Sequence, residues 1–457
     1  MSDTPFVNKI STFTGLRRLN VLWILALLAS FGPLCTDMYL PALPHISSDL
    51  GLSISLTQAS ITTCLLGLAL GQIFIGPISD GQGRKKLLVS SLIVFILTSV
   101  ACAVVTNGYV FLGLRFIQGL AGSGGLVLSR AISCDTYSGI ALTRFMSLLM
   151  AIHSVAPTLG PVLGGFLAGQ AGWQIIFWVL AGIGIYLALN AAFAVPESLD
   201  PAKRVPGGVA ASLINMGTLF RQKAFMAYTA QQGFTMAGFF AYVSASPFVF
   251  QNIYKFSMEE FSLVFGGISL SIMLMALTSG PLSARFGNRF ALLIGETARL
   301  VAALCVLAVV LIEPASPAPL IVALIILVSL QGLTLTCSFA LAIDSQVTGA
   351  GAASGLLGVA CFLFGACVSP LTGIAGPASA LPLGIIIAVT AAIAMCMTLL
   401  GNKFFMNSPA RGLSLVNRLH QAREAKAKAH AKARERIARA IVKKAKADAK
   451  ARAKQGR

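Results

Sequence analysis

Gly76-Pro77-Ile78-Ser79-Asp80-Gly81-Gln82-Gly83-Arg84 follows one long apolar run, and Gly280-Pro281-Leu282-Ser283-Ala284-Arg285-Phe286-Gly287-Asn288-Arg289 follows another in the second part of the chain. Around this doubled stretch other echoes line up. Gln118-Gly119-Leu120 matches Gln331-Gly332-Leu333. Asp135 and Asp344 stand 209 residues apart, and the same offset relates Pro161 to Pro370 and Gly164 to Gly373. A parallel repeat of two six-span halves is the architecture of transporters whose halves rock about a central site. A channel or a membrane enzyme has no need of it.

The composition supports a membrane setting. Of 457 residues, 56% are hydrophobic and 11% charged, whereas soluble chains carry about 25% charged residues. A soluble enzyme and a disordered chain are both excluded. Runs able to cross a bilayer need about 20 apolar residues. They are read near 18–40, 55–79, 87–105, 109–131, 143–168, 174–195, 224–250, 260–283, 290–312, 319–342, 351–374 and 381–402. The first run is too long for a cleaved signal peptide and no small-residue cleavage site ends it. The expected fold is therefore an all-α membrane protein of twelve transmembrane helices in two six-helix halves, followed by a basic tail. Residues 1–17 precede the first half (18–195), a Pro/Gly-rich loop (196–223) joins it to the second half (224–402), and the tail is 403–457.

Lys and Arg orient the chain. Alternate connections hold Lys9, Arg17 and Arg18; Arg84, Lys85 and Lys86; Arg130 and Arg144; Lys203, Arg204, Arg221 and Lys223; and Arg285 and Arg289. The intervening connections hold only Lys255. Such asymmetry places both termini in the cytoplasm. The net charge of +19 is uneven: from Lys403 onward 17 basic residues face 3 acidic ones, leaving +5 for the rest. The tail is rich in Ala, Lys and Arg, strong helix formers, with few apolar anchors. It is read as a solvated extension, or as one touching anionic headgroups; a nucleic-acid partner is not expected, because no recognition fold accompanies the charge.

The nine cysteines sit singly, with no CxxC or Cys/His spacing, and read as small buried hydrophobes. Neither G-x-x-x-x-G-K-[ST] nor G-x-G-x-x-G occurs, so an ion gradient rather than nucleotide hydrolysis is the energy source, and no cofactor is expected.

Charges inside a bilayer are costly and mark function by default. Asp37 lies near the outer end of span one and Arg115 in the outer half of span four; Asp37 is read as a proton-carrying carboxylate, with capping or solvation as its plainer reading. Glu296 and Arg299, three residues apart, can pair on one helix face, with Glu296 near interfacial water. His153 reads as a packing residue or a proton relay. Asp80 and Arg84 put opposite charges at the ends of two helices, with Gly83 permitting a tight turn, and a plain topological anchor fits them. Pro157, Gly160, Pro161, Gly164 and Gly165 form a helix face without side chains, suited to close packing. Tyr39, Phe234, Met236, Phe239, Phe240 and Tyr242 would suit a broad apolar pocket, or lipid-facing positions.

Taken together, these stretches resemble the major facilitator superfamily, and within it the twelve-span drug:proton antiporters of the bicyclomycin/chloramphenicol-resistance (Bcr/CflA) type. The resemblance covers roughly residues 15–402. It rests on Thr36-Asp37-Met38-Tyr39-Leu40-Pro41-Ala42-Leu43-Pro44, the Gly76–Lys86 stretch, Arg115-Phe116-Ile117-Gln118-Gly119, the run from Ala156 to Gly165, and Ser244-Ala245-Ser246-Pro247-Phe248. It implies a proton-coupled multidrug exporter of the cytoplasmic membrane, a monomer, with small-molecule substrate, protons and lipids as partners. By that resemblance Asp37 and Arg115 couple protons, and Asp37, Tyr39, Gln118, Phe234, Phe239 and Tyr242 contact substrate. Gly76, Asp80, Gly83 and Arg84 form the conformational latch, with Gly81 where the pattern has a basic residue, and the span-five face limits leakage. Uptake of a metabolite such as a nucleobase on the same fold, or a membrane sensor, are the alternatives.

Overall fold

A computed structural model describes residues 15–137, 139–201, 204, 216–313, 315–345, 350–376 and 379–406. The tail from 407 onward, most of the central loop, the N-terminal segment before Gly15 and the side chains of His153 and Arg144 lie outside the described residues. The chain divides into two units, Met1–Lys403 and Phe404–Arg457, and the helical bundle and its sites belong to the first.

Among the described residues there are twelve helices of 19 residues or more and no strand. In chain order they are α1 (Gly15–Asp37), α2 (Ile54–Gln82), α3 (Arg84–Val104), α4 (Gly108–Thr136), α5 (Gly139–Ala171), α6 (Gln174–Phe193), α7 (Lys223–Phe248), α8 (Met258–Phe286), α9 (Asn288–Ile312), α10 (Ala318–Ser345), α11 (Ala350–Val368) and α12 (Leu381–Met406). Eleven helical segments of the described residues are long and apolar enough to cross a membrane. Position five is held by α5, at 33 residues the longest helix, where most side chains of the first half lie outside the described set. Large apolar side chains face outward, Phe193 at 86% exposure and Leu277 at 69%. In water that surface would be a severe liability, whereas against lipid tails it costs nothing.

Local chemistry starts and stops these helices. Asn107 accepts from the backbone N–H groups of Tyr109 and Val110 and caps α4. Ser257 and Glu260 form a reciprocal capping box at the start of α8, and Ser53 caps α2 at the matching place in the first half. Between α2 and α3 there is no loop, only Gly83 at φ +97°; Gly287 at φ +81° makes the same joint between α8 and α9. A left-handed residue lets two helices abut, and glycine meets no steric penalty there.

The repeat breaks at one point. The apolar run predicts a span eleven reaching 374, and the membrane-crossing segment does run to Gly373, as α-helix to Val368 and as a tighter 3₁₀ turn over Ser369–Gly373. Pro370 has no N–H to continue the ladder. Its counterpart Pro161 lies within α5, which continues to Ala171.

Consecutive helices alternate in direction, so the bundle has two ends. One, the Asp37 end, carries residues 37–54, 104–108, 171–174, 248–258, 312–318 and 368–381; the other carries Arg84. Across the halves, α5 packs on α8 and α2 on α11.

Candidate functional site

At the Arg84 end the residues expected to form a latch make an ion-pair knot within the first half. Arg84 pairs with Asp80 at 2.6 Å and, through Nε, with Asp135 at 3.0 Å. Ser79 Oγ accepts from Arg84, and Ser198 Oγ donates to Asp135 Oδ2. Glu197, unremarked in the sequence, accepts the backbone N–H groups of Arg84 and Lys85 and so caps α3. A Cβ on Gly83 would fall 2.7 Å from Glu197 Oε2, so the joint needs glycine for space as well as for φ. Gly76 has no such constraint: its nearest neighbour would be Val127 at an ordinary 3.7 Å.

At the Asp37 end the two halves are bonded to each other. Four hydrogen bonds between described residues cross from half to half, and all four lie here. Gln58 Nε2 donates to the Ser244 carbonyl (3.2 Å), Thr62 Oγ1 to that of Ala366 (3.0 Å), Gln251 Nε2 to that of Pro41 (2.8 Å), and Ser369 Oγ to that of Gln58 (3.3 Å). Gln58 is 1% exposed, yet its Oε1 has no partner. Only a void of about 10 Å³, bordered also by Thr372, lies beside it.

The glycine face of α5 serves this seal from two sides. Gly160 and Gly164 lie on the end of α1: a Cβ at Gly160 would touch Asp37 Cβ at 3.4 Å, and none fits at Gly164 against the Met38 carbonyl. Gly165 and Gly169 face the opposite way, toward Ser262 and Glu259 of α8. From α8, Gly266 returns the close approach toward Val162 and the Thr158 carbonyl. Thus α5 is wedged between the Asp37 segment of its own half and a helix of the other half. Pro157 and Pro161 lie within this stretch of helix.

Asp37 is 8% exposed. Thr36 Oγ1 lies 2.9 Å from its Oδ1, but the single hydroxyl proton is shared with the Gly32 and Pro33 carbonyls. Among the described residues no cation is within ion-pair distance, so the expected couple with Arg115 is not formed in this state. Arg115 is wholly buried and turned to other partners: the Cys35 carbonyl at 2.9 Å, Cys35 Sγ at 3.3 Å, and Gln118 Oε1. Its guanidinium lies 4.2 Å from the Tyr39 ring centroid, a cation–π contact in a dry setting. Gln118 passes the chain on to Ser99 Oγ (2.7 Å), and Tyr39 and Ser60 share a hydroxyl bond of 3.1 Å. Arg115 thereby ties α4 to α1 two residues before Asp37.

The remaining expected substrate contacts separate by burial. Tyr39, Gln118 and Tyr242 are fully enclosed, Tyr242 stacked on Phe265 at 5.3 Å. Phe234 and Phe239 are half-buried, the first edge-on to Phe364 at 4.9 Å. Only the last two offer surface to a ligand in this conformation. Glu296 and Arg299 form the structural ion pair that their spacing suggests, at 3.2 Å, and Glu296, at 0% exposure, is closed off from interfacial water. Gln231 Nε2 and Thr235 Oγ1 of α7 donate to Glu296, at 2.6 and 3.2 Å, and Arg299 donates back to Thr235. The sequence does carry a signal for this knot, two amide- and hydroxyl-bearing residues on one face of α7, but spacing alone does not reveal their partner helix.

Comparison with known proteins agrees with this architecture. The profile of the Major Facilitator Superfamily matches residues 22–370. A Bacillus subtilis protein named as an uncharacterized MFS-type transporter, YdgK, is 41% identical over 83% of this chain and 94% of its own length. The bicyclomycin resistance protein homolog of Haemophilus influenzae is 33% identical over 53% of this chain and 61% of its own. The multidrug resistance protein MdtL of Salmonella heidelberg is 30% identical over 57% and 63%. Among solved structures, a bacterial homolog to the human lysosomal transporter Spinster, inward-facing and unoccupied, superposes with a TM-score of 0.72 at 16% identity, covering 87% of this chain and all of that one; the likeness is one of fold.

Proposed function

The chain belongs to the Major Facilitator Superfamily of membrane transporters, and from that premise we propose that it exports small lipophilic or amphipathic compounds, drugs among them, in exchange for protons. The observation that carries this reading is the position of Asp37: a buried carboxyl with one shared hydroxyl partner, set directly under the glycine face of α5 at the seal between the halves. Burying a bare carboxylate there is expensive. Closing the seal and loading a proton on Asp37 are therefore linked events. The Lys/Arg asymmetry argues for an Arg84 end and both termini in the cytoplasm. In that orientation Asp37 takes its proton from outside, the seal closes, and substrate arriving from the cytoplasm is exchanged for that proton. Arg115 holds α1 in place beside Asp37, and the Arg84 knot governs the opposite end. The names of the bicyclomycin- and multidrug-resistance relatives support export.

Substrate-dependent proton release from the purified protein is the test. Wild type releases protons on adding an exported drug and Asp37→Asn does not; unchanged transport by Asp37→Asn would falsify the reading. Proton-driven uptake of a metabolite is the rival on the same fold, and counterflow in proteoliposomes with metabolites against drugs separates the two.

A further inference from the structure

At the Asp37 end all three connections of the second half, α7–α8, α9–α10 and α11–α12, contribute to one cavity of about 250 Å³. Ile253, Val310, Ala315, Leu320 and Ala380 give it apolar lining, and its two polar lining residues are Tyr254 and the solvent-exposed Glu313. Two features make it receptive to positive charge. Glu313 is the C-cap of α9, so the unpaired carbonyls of a 25-residue helix add their negative end to its carboxylate. Among the described residues Glu313 has no ion-pair partner. Lys255, the nearest basic residue in sequence to Tyr254, does not line the cavity.

The backbone at this mouth is held in an uncommon form. Glu313 (φ 49°) and Lys255 (φ 60°) are the only non-glycine residues with positive φ among those described. A left-handed conformation costs an L residue about 1–2 kcal/mol, and such strain collects at binding sites. Tyr254 stays a phenol over a wide pH range, because burial and the charge of Glu313 both push its proton loss upward. It can therefore offer a ring face to a cation while Glu313 offers the charge. The small void beside Gln58 and Thr372 shares Ile253 and Ala380 with this cavity, so the two lie on either side of one wall.

We propose that this cavity is a binding site for a small lipophilic cation, a protonated or quaternary amine, with its charge on Glu313 and its apolar body on Ile253, Val310 and Leu320. As a release vestibule it rests on the reading that the Asp37 end faces outward; occupancy itself does not. The volume is below the range of drug-sized pockets, so it takes one charged head with a single ring.

Radiolabelled benzyltrimethylammonium binding to the full-length protein in nanodiscs tests this. Saturable binding is expected that Glu313→Gln weakens about fivefold, the scale of an exposed ion pair. Glu313→Asp keeps most of it, neutral benzyl alcohol does not compete, and the Glu313-dependent component survives in Asp37→Asn. Equal affinity of Glu313→Gln and wild type, or loss of all binding in Asp37→Asn, overturns the assignment. Intact cation binding in a protein that exports nothing would instead sink the exporter reading and leave the cavity standing.

Discussion

Two buried charge clusters differ in what they ask of their neighbours. Glu296 and Arg299 are enclosed, mutually paired and further bonded to Gln231 and Thr235. Removing one member leaves the other charge without a counterion. Glu296→Gln is therefore expected to destabilise the protein by about 3–5 kcal/mol, read as a fall in thermal midpoint in detergent. Replacing both, Glu296→Gln with Arg299→Met, should recover much of that loss; a double variant as unstable as the single one would show that shape rather than charge holds the knot. Asp37 is the opposite case, a carboxyl whose surroundings supply a single shared hydroxyl. Its neutral isostere Asn fits the same space, so Asp37→Asn is expected to fold with an unchanged midpoint while the proposed proton-driven efflux falls to passive background.

Helix joints and crossings depend on glycines whose reasons are spatial. Gly164→Ala puts a methyl where the Met38 carbonyl already sits, and Gly165→Ala does the same against Ser262. Because overpacking costs about 1–3 kcal/mol, each should hold the seal apart, seen as faster hydrogen exchange over residues 37–46 with the Arg84 end unaffected. Gly76→Ala is the control, since its site has ordinary room. Gly83→Ala combines a forbidden φ with a clash on Glu197 and should weaken the latch. That division is only partly legible in the residues. Twelve apolar runs, the doubled Gly-Pro stretch and the glycine face of span five follow from composition and spacing, and each run is helical near its expected ends, the last turn of span eleven as 3₁₀ helix. Which neighbour each glycine meets does not follow, because close approach depends on helix rotation and crossing angle. For the same reason Arg115 turns to Cys35 rather than Asp37, and Glu197, an ordinary loop residue in the chain, emerges as the cap of α3.

At the Asp37 end the halves are joined by close helix packing and by a few weak bonds, a combination that suits a reversible gate. A net hydrogen bond is worth about 1 kcal/mol, so the four that cross the halves are enough to bias an equilibrium without locking it. Gln58→Leu with Thr62→Val removes two of the four donors at once and leaves the packing volume nearly unchanged. A shift of about 2 kcal/mol, roughly thirtyfold in the ratio of open to closed seal, is expected. The seal can be followed by alkylation of Thr372→Cys from the outside. With the Asp37 end outward, as proposed, the label should enter faster in the double variant, and substrate counterflow should slow because the form sealed at that end is less populated. The basic tail is expected to bear on membrane residence rather than on transport. Its 17 positive residues against 3 negative lie beyond the seal, the latch and Asp37 in sequence, and each Lys or Arg near an anionic leaflet adds about 1 kcal/mol of attraction. Deleting residues 408–457 should thus lower the amount of protein retained in the membrane, measured by quantitative blotting of washed membranes, while transport per molecule stays as in the full chain. Loss of transport at equal protein level would place the tail inside the working cycle instead.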